Sequence, residues 1–269
     1  MPTLALRATY IGGPTALLEV AGVRLLTDPT FDPAGTEYRT PVYTLRKTTD
    51  PAVAASALGP IDAVLLSHDH HFDNLDHAGR ALLPTAARVL TTPVGAERLG
   101  GNAVGLAPWA TTEVQAPDGR ALRVTATPAR HGPPDGDRGP VTGFLLTDAA
   151  APDAPSTPAI YVSGDTVWYD GLAPIAARAD VRIAVLFLGA ARVREVGPAH
   201  LTFAAPEAVT AARAFPNATI VPLHYAGWEH FSEGRAEVER AFQDAGLAER
   251  LCWLEPGRAT VLAEPRSAA

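Results

Sequence analysis

The stretch LLSHDHHFDNLDHAG, residues 65–79, carries four of the eight histidines in this chain of 269 residues. It overlaps the end of an apolar run, residues 61–67, whose length is typical of a buried strand. Loops at strand ends are held by a rigid scaffold, and side chains from distant parts of the sequence converge there. An extended backbone would direct His68 and His70 to the same side. An isolated pair of this kind is usually just solvated, but Asp73 in the same loop favours a metal site.

The remaining sequence alternates strands in series with strand and helix units. Alternating apolar residues and turn residues predict strands at 4–11, 16–20, 23–27, 61–67, 88–92, 111–116, 122–128, 141–147, 160–163, 181–188 and 219–223, with others near Cys252 and Thr260. Helical spacing predicts helices at 51–58, 78–83, 94–99, 172–178, 205–214 and 233–245. This order predicts an α/β protein in which two sheets lie between two helix layers.

The composition is that of a globular protein, with 47% hydrophobic and 19% charged residues. Because no segment resembles an interdomain linker, residues 1–269 are interpreted as a single domain. The net charge of -7 is spread along the chain, which argues against nucleic acid as a partner. Cys252 is the single cysteine, so any metal must be held by His, Asp and Glu.

The first residues, MPTLALR, lack the basic and apolar regions of a signal peptide. No apolar run approaches the roughly 20 residues that a membrane-spanning helix needs. We therefore expect no integral membrane segment and a cytoplasmic location. The sequence leaves the oligomeric state open.

Residues 65–79 resemble the signature loop of the metallo-β-lactamase-fold hydrolases, usually H-x-H-x-D-H. Segments 127–132 (TPARHG), 162–166 (VSGDT) and 221–225 (VPLHY) resemble further family motifs in the expected order. With residues 26–29 (LTDP), the resemblance spans nearly the whole chain. Its nearest branch contains the ascorbate-phosphate lactonases and the N-acyl-phosphatidylethanolamine phospholipase D-like enzymes. The resemblance implies the four-layer αββα sandwich of the metallo-β-lactamase fold.

The same resemblance implies a binuclear metal centre. It assigns one metal to His68, His70 and His131, a second to His224 and Asp73, and a bridging position to Asp165. Two zinc ions are the expected cofactors, and manganese or iron would suit the same donors.

The implied activity is hydrolysis of an ester, lactone, amide or phosphodiester bond in a small-molecule substrate. A metal-bound hydroxide would attack, and Asp73 or Asp165 would orient it. The alternative is a non-catalytic metal-binding or ligand-sensing protein on the same fold.

Secondary candidates lie outside the signature loop. His200, in residues 197–202 (GPAHLT), resembles a histidine near the active-site mouth in the lactonase and phospholipase branch, which implies substrate orientation or proton transfer. Asp28 resembles a buried aspartate that orients a metal-binding histidine. The aromatic loop at residues 225–231 (YAGWEHF) is interpreted as pocket lining or as packing.

The signature loop departs from the family pattern in one place. The family has Asp four residues and His five residues after the first histidine, whereas Phe72 and Asp73 stand there, followed by Asn74. A one-residue bulge would return Asp73 to the aspartate role, or Asp73 would replace the missing histidine. Alternatively, His71 supplies the missing imidazole, or the second site is weak and the centre mononuclear.

Overall fold

The structure is a computed structural model that describes residues 4–135 and 137–262. The ends of the predicted domain and the start of the MPTLALR segment lie outside these ranges. The strands are β1 (Leu6–Gly12), β2 (Thr15–Val20), β3 (Val23–Thr27), β4 (Glu37–Arg39), β5 (Thr44–Arg46), β6 (Ala63–Leu65), β7 (Val89–Thr91), β8 (Ala103–Gly105), β9 (Thr111–Gln115), β10 (Ala121–Thr127), β11 (Gly143–Asp148), β12 (Pro158–Val162), β13 (Asp180–Phe187), β14 (Thr219–Leu223) and β15 (Ala259–Leu262). The α-helices are α1 (His77–Leu82), α2 (Pro93–Leu99), α3 (Ala173–Arg178), α4 (Ala205–Ala214) and α5 (Arg235–Asp244).

Two mixed sheets share one design. The first sheet has the order β15-β1-β2-β3-β6-β7-β8, antiparallel from β15 to β3 and parallel from β3 to β8. The second has the order β14-β13-β12-β11-β10-β9, antiparallel from β9 to β12 and parallel from β12 to β14. The short strands β4 and β5 form a separate ribbon. Each sheet therefore joins a meander to parallel strands, as the sequence order predicts.

Side-chain alternation divides the core into layers. In β3, Leu25 belongs to the cluster between the two sheets, and its neighbour Leu26 belongs to the cluster that includes residues of α1 and α2. On the other sheet, Val185 belongs to the inner cluster and Leu186 to the one that α3, α4 and α5 cover. Helices thus cover both outer faces, and the four-layer αββα sandwich is confirmed.

Small residues allow α4 to lie close to its sheet. Ala208, Ala211 and Ala212 are buried on one face of this helix, at the spacing of an amphipathic helix. The helix begins where the Glu207 carboxylate accepts a hydrogen bond from the backbone N–H of Ala204, at 3.0 Å. This face packs with Phe242 of α5 in the outer core.

Most predicted elements lie where the sequence places them, and β3, β14 and α4 have the predicted bounds. The predicted helix at 51–58 is wrong, because only a three-residue 3-10 helix, Ala55–Ala57, forms there. The strand near Cys252 is reduced to an isolated bridge between Leu251 and Ile220. Strands β4, β5 and β8 were not predicted because three residues are too few for alternation to be visible.

No helix among the residues that the structure describes is long and apolar enough to cross a membrane. The cytoplasmic location stays a prediction.

Candidate metal centre

Histidine and aspartate side chains meet beyond the carboxyl ends of strands from both sheets. His68 follows β6 of the first sheet, whereas His131, Asp165 and His224 follow β10, β12 and β14 of the second. Within residues 4–135 and 137–262, two groups have the geometry to hold a metal ion. One consists of imidazoles and the other combines an imidazole with two carboxylates.

The first group, His68, His71 and His131, is formed by three ring nitrogens that point at one another. Nε2 of His68 lies 2.9 Å from Nδ1 of His71, which lies 3.0 Å from Nε2 of His131. His68 and His131 are buried and His71 is partly buried. Three such nitrogens at these distances have the donor chemistry of a metal site.

His70 lies outside this cluster. Its Nε2 donates a hydrogen bond to the backbone carbonyl of Arg138, at 2.8 Å. The backbone bends at Asp69 and His70 and does not run extended as predicted. The His70 ring lies 4.8 Å from the His68 ring between centroids, but its Nε2 faces the Arg138 carbonyl. The ring that converges with His68 and His131 is therefore that of His71, and metal binding by His70 stays a prediction.

A hydrogen bond on the side of the His131 ring that faces away from the cluster fixes its tautomer. Its Nδ1 donates to the Leu201 carbonyl at 2.9 Å, which leaves the lone pair of Nε2 for the cluster.

The His68 ring is held through a serine. The Ser67 hydroxyl lies 2.8 Å from Nδ1 of His68 and 2.9 Å from Oδ1 of Asp28. Since the hydroxyl donates to the carboxylate, its oxygen accepts from His68. Asp28 thus contacts His68 only through the Ser67 hydroxyl, whereas the resemblance implied a direct hydrogen bond to a metal-binding histidine.

The second group, Asp73, Asp165 and His224, is entirely buried. Nδ1 of His224 donates to Oδ1 of Asp165 at 2.9 Å, and Nε2 of His224 lies 3.7 Å from Oδ2 of Asp73. Oδ2 of Asp165 lies 3.8 Å from Nε2 of His131. Asp165 therefore belongs to the second group and also faces His131 of the first group, as a bridging ligand would.

Unpartnered polar atoms test whether this group suits a metal ion. Oδ2 of Asp165 and Nε2 of His224 are both shielded from solvent and have no hydrogen-bond partner. A buried polar atom without a partner is costly, and native proteins rarely leave one unexplained. The donor types and these two free atoms fit a bound cation.

His230 is a further member of the site. Its Nε2 donates to Oδ2 of Asp73 at 2.9 Å, and its Nδ1 is buried without a partner. Asn74 follows Asp73 in the signature loop, and neither its Oδ1 nor its Nδ2 has a partner although the residue is fully buried. At the place where the signature loop departs from the family pattern, His230 from another loop thus lies beside Asp73.

Electrostatics favour the protonation states that bind metals. Burial, reinforced by the neighbouring imidazoles, lowers the pKa of His68 far below its usual value and that of His71 to about 3. Burial opposes ionisation of Asp73 and Asp165, but adjacent imidazoles outweigh it, His230 foremost for Asp73 and His224 for Asp165, and the pKa of each carboxyl falls below its usual value. His68 and His71 are thus neutral and Asp73 and Asp165 are charged, as metal ligation requires. His224 is the exception: burial opposes its protonation, but the Asp165 and Asp73 carboxylates outweigh burial and raise its pKa above the usual value.

Backbone conformation at the site is unusual. His224 has a φ of 54° and Asp28 a φ of 23°, a region that residues other than glycine rarely adopt. Gly164, with a φ of 59°, brings the Asp165 loop so close that an added Cβ would lie 2.5 Å from the Thr142 carbonyl oxygen. Only glycine permits this approach between two loops of the second sheet.

A cavity opens onto both groups. Its volume is about 370 Å³ with the mouth included. The polar part of its lining consists of His71, Asp73, His131, Arg138, Tyr43 and His230, and the apolar part of Leu45, Ala191, Val193, Val196 and Leu201. The site is therefore a small, largely apolar chamber with the candidate ligands at one wall.

His200 does not line this cavity. Its Nε2 lies 3.1 Å from Oε2 of Glu207, near the start of α4. The next residue, Leu201, is the one that contacts His131 through its carbonyl. In the aromatic loop, Phe231 packs edge-on against His224 with ring centroids 4.8 Å apart, and Trp228 is buried in packing.

Sequence reasoning assigned no specific role to His230, Arg138 or Tyr43. His230 lies six positions after His224 in the aromatic loop, and an imidazole so close to a predicted ligand was an available signal. Arg138 and Tyr43 lie in connecting segments with no motif, so nothing in the sequence indicates that they reach the cavity.

Comparison with known proteins agrees with this geometry. The family model described as "Beta-lactamase superfamily domain" matches residues 23–225. The chain belongs to this family, and the expected superfamily is confirmed. With this match and the sandwich fold, the chain is a member of the β-lactamase superfamily, and its described residues include two groups that could hold metal ions.

Similar proteins match over nearly their full length. The UPF0173 protein YddR of Bacillus subtilis is 24% identical over 259 residues, which cover 93% of this chain and 97% of the relative. An isothiocyanate hydrolase from Delia radicum gut bacteria superimposes with a TM-score of 0.76 at 23% identity, covering 96% of this chain and 99% of the other. A possible metal-dependent hydrolase from Veillonella parvula gives a TM-score of 0.78 at 17% identity, with 95% and 99% covered. At these identities the solved structures establish the fold.

Proposed function

We propose that the chain hydrolyses a small organic substrate at a two-metal centre. His68, His71 and His131 would hold one ion, and His224 with Asp73 the other. Asp165 would bridge them. The observation that carries this proposal is the pair of buried, unpartnered atoms, Oδ2 of Asp165 and Nε2 of His224, beside three converging imidazoles.

Zinc is the proposed metal. Neutral imidazoles and ionised carboxylates are ordinary zinc donors, and manganese or iron would accept the same set. When bound, the ions would polarise the scissile bond, acidify a water molecule and stabilise the anionic transition state.

The protein's own residues would supply position and charge. The Asp73 carboxylate, kept ionised by His230 and His224, accepts a hydrogen bond and so orients the attacking water. The apolar wall excludes bulk water, which strengthens electrostatic interactions at the reacting bond. Hydrogen bonds to the Leu201 carbonyl and the Ser67 hydroxyl keep the rings of His131 and His68 in place during the reaction.

The cavity sets the size of the substrate. The enclosed space is about 30 Å³, far below that of ordinary ligand pockets, so we propose a small molecule rather than a polymer. The bond is an ester, lactone, amide or phosphodiester. The structural similarity to an isothiocyanate hydrolase adds isothiocyanates to the compounds worth assaying.

A substrate panel on stripped and reloaded protein tests this function. The protein is freed of metal with a chelator, then assayed with representatives of each bond class with and without zinc or manganese. We expect turnover only after reloading, and we expect His131→Ala to abolish it. His77→Ala is the matched control, because His77 is exposed and outside the cavity. Turnover by fully stripped protein would overturn the proposal.

A non-catalytic metal-binding or ligand-sensing protein is the second candidate. The departure in the signature loop favours it, since Phe72 and Asp73 stand where the family has an aspartate and a histidine. This function predicts metal binding at the same residues without turnover of any compound in the panel. Metal-dependent hydrolysis that disappears in His131→Ala would exclude it.

A further inference from the structure

Arg138 has an unusual position in the cavity wall. Its backbone N–H donates to the His131 carbonyl at 2.9 Å, and its carbonyl accepts from Nε2 of His70 at 2.8 Å. These two bonds fix the segment against the loops that carry the candidate ligands. Gly139, with a φ of 105°, lets the chain pass close to the His70 ring. These hydrogen bonds of the Arg138 backbone therefore fix the position of its side chain relative to the candidate metal centre.

The guanidinium of Arg138 is only partly satisfied. Nη2 donates to the Val196 carbonyl, which holds the side chain against the wall. Nε is shielded from solvent and has no hydrogen-bond partner. Arginine stays charged and its N–H groups only donate, so a buried N–H without an acceptor is costly. Arg138 lines the cavity, so a ligand that enters beside its guanidinium would supply an acceptor.

The surroundings favour an acceptor that carries negative charge. No acidic side chain forms an ion pair with Arg138 among the residues that the structure describes. The cavity's only acidic lining residue is Asp73, which is already paired with His230. In this cavity the neighbouring wall is aliphatic, from Val193, Val196 and Leu201. Asp135 lines an adjoining pocket with Arg138 but forms no ion pair with it.

We propose that Arg138 is a specificity-determining residue that binds a carboxylate of the substrate, whose apolar body packs on the aliphatic wall. This inference rests on the proposed function for the reaction itself. It assigns the substrate class: a small amphipathic monoanion with its hydrolysable group at the metal centre. A charge-assisted hydrogen bond from Nε orients such a molecule as well as holding it.

Binding of two isosteric probes to the metal-loaded protein tests this inference without requiring turnover. We use 3-phenylpropanoate and its neutral amide, measured by calorimetry. The wild-type protein is expected to bind the carboxylate about tenfold to hundredfold more tightly. Arg138→Met is expected to remove this preference with unchanged metal content. Arg194→Met, which removes an exposed charge from the neighbouring segment, should keep it.

Two outcomes would overturn the inference. A wild-type protein without preference has no carboxylate site, and a preference that survives Arg138→Met means that the carboxylate binds the metals instead. If Arg138→Met does not fold, the Arg138 Nε–H signal of the wild-type protein, assigned by nuclear magnetic resonance with Arg138→Lys, decides. This signal should shift when the carboxylate probe is added and stay unchanged when the amide probe is added. The same shift with both probes would overturn the inference. Failure of the substrate panel would leave this binding result standing, so the two proposals fail separately.

Discussion

Nε2 of His230 lies 2.9 Å from Oδ2 of Asp73, and so joins two residues that are 157 positions apart in the chain. This contact ties the loop after β14 to the signature loop after β6. It lies where the signature loop departs from the family pattern, and it makes Asp73 the point at which the two loops depend on each other.

Removing His230 should loosen Asp73. Without its hydrogen-bond donor, the carboxylate loses orientation, and partners of this kind are typically worth about 10- to 100-fold in metal affinity or activity. His230→Ala is therefore expected to lower turnover or affinity for the second ion by that factor, measured by metal titration and steady-state kinetics. His230→Gln, whose amide still donates, should recover part of the loss. Equal occupancy and turnover in His230→Ala and the wild type would refute this role.

Paired substitutions separate the adjacent histidines. Nδ1 of His71 converges with His68 and His131, whereas His70 contacts the Arg138 carbonyl. His71→Ala should lose about one metal equivalent per chain and most activity, because three imidazoles become two. His70→Ala should retain its metal. Elemental analysis of both purified proteins decides, and the reverse pattern would restore the H-x-H assignment.

The hydroxyl of Ser67 should influence metal affinity. Ser67→Ala removes the bridge between Asp28 and Nδ1 of His68, so we expect roughly tenfold weaker metal binding and about 1–3 kcal/mol less stability. Ser232→Ala is the matched control, since its hydroxyl donates to the Ala190 carbonyl. Thermal unfolding should detect both changes, but a metal titration should detect only the first. An unchanged metal affinity in Ser67→Ala would contradict the chain from Asp28 to His68.

His200 should affect stability with pH rather than turnover. The Glu207 carboxylate, 3.1 Å from Nε2, raises the pKa of His200, so the folded state binds its proton more tightly than the unfolded chain does. The stabilisation is complete below the unfolded pKa of about 6.5 and disappears as pH rises through the higher folded value. The pair is partly exposed, so His200→Ala should cost less than about 1 kcal/mol at pH 5.5 and nothing at pH 9. Denaturant unfolding at both values checks this, and a large loss of turnover would instead support the substrate role that the resemblance implied.

The fold could be predicted because its signals are local. Strand β3 and helix α4 are bounded by turn residues or caps that act within a few positions, so their ends were predicted correctly. The 3-10 segment Ala55–Ala57 was not, because its path depends on a hydrogen bond from Ala52 to Ile11, a contact that no window of sequence contains.

The site could be predicted only in outline. His131, Asp165 and His224 follow strands, and the sheets bring them together whatever the details of the loops. The choice between His70 and His71 depends on where the backbone turns after His68. One additional residue in the loop moves that turn. Contacts between distant loops, such as that of His230 with Asp73, depend on tertiary structure alone.

The most direct test of the two-metal centre is a crystal structure of the zinc-loaded protein with anomalous data at the zinc edge. We predict two peaks per chain. One should be bound by His68, His71 and His131, the other by Asp73 and His224, with Asp165 in contact with both. A peak bound by His70 in place of His71, or no peak between Asp165 and His224, would contradict the account.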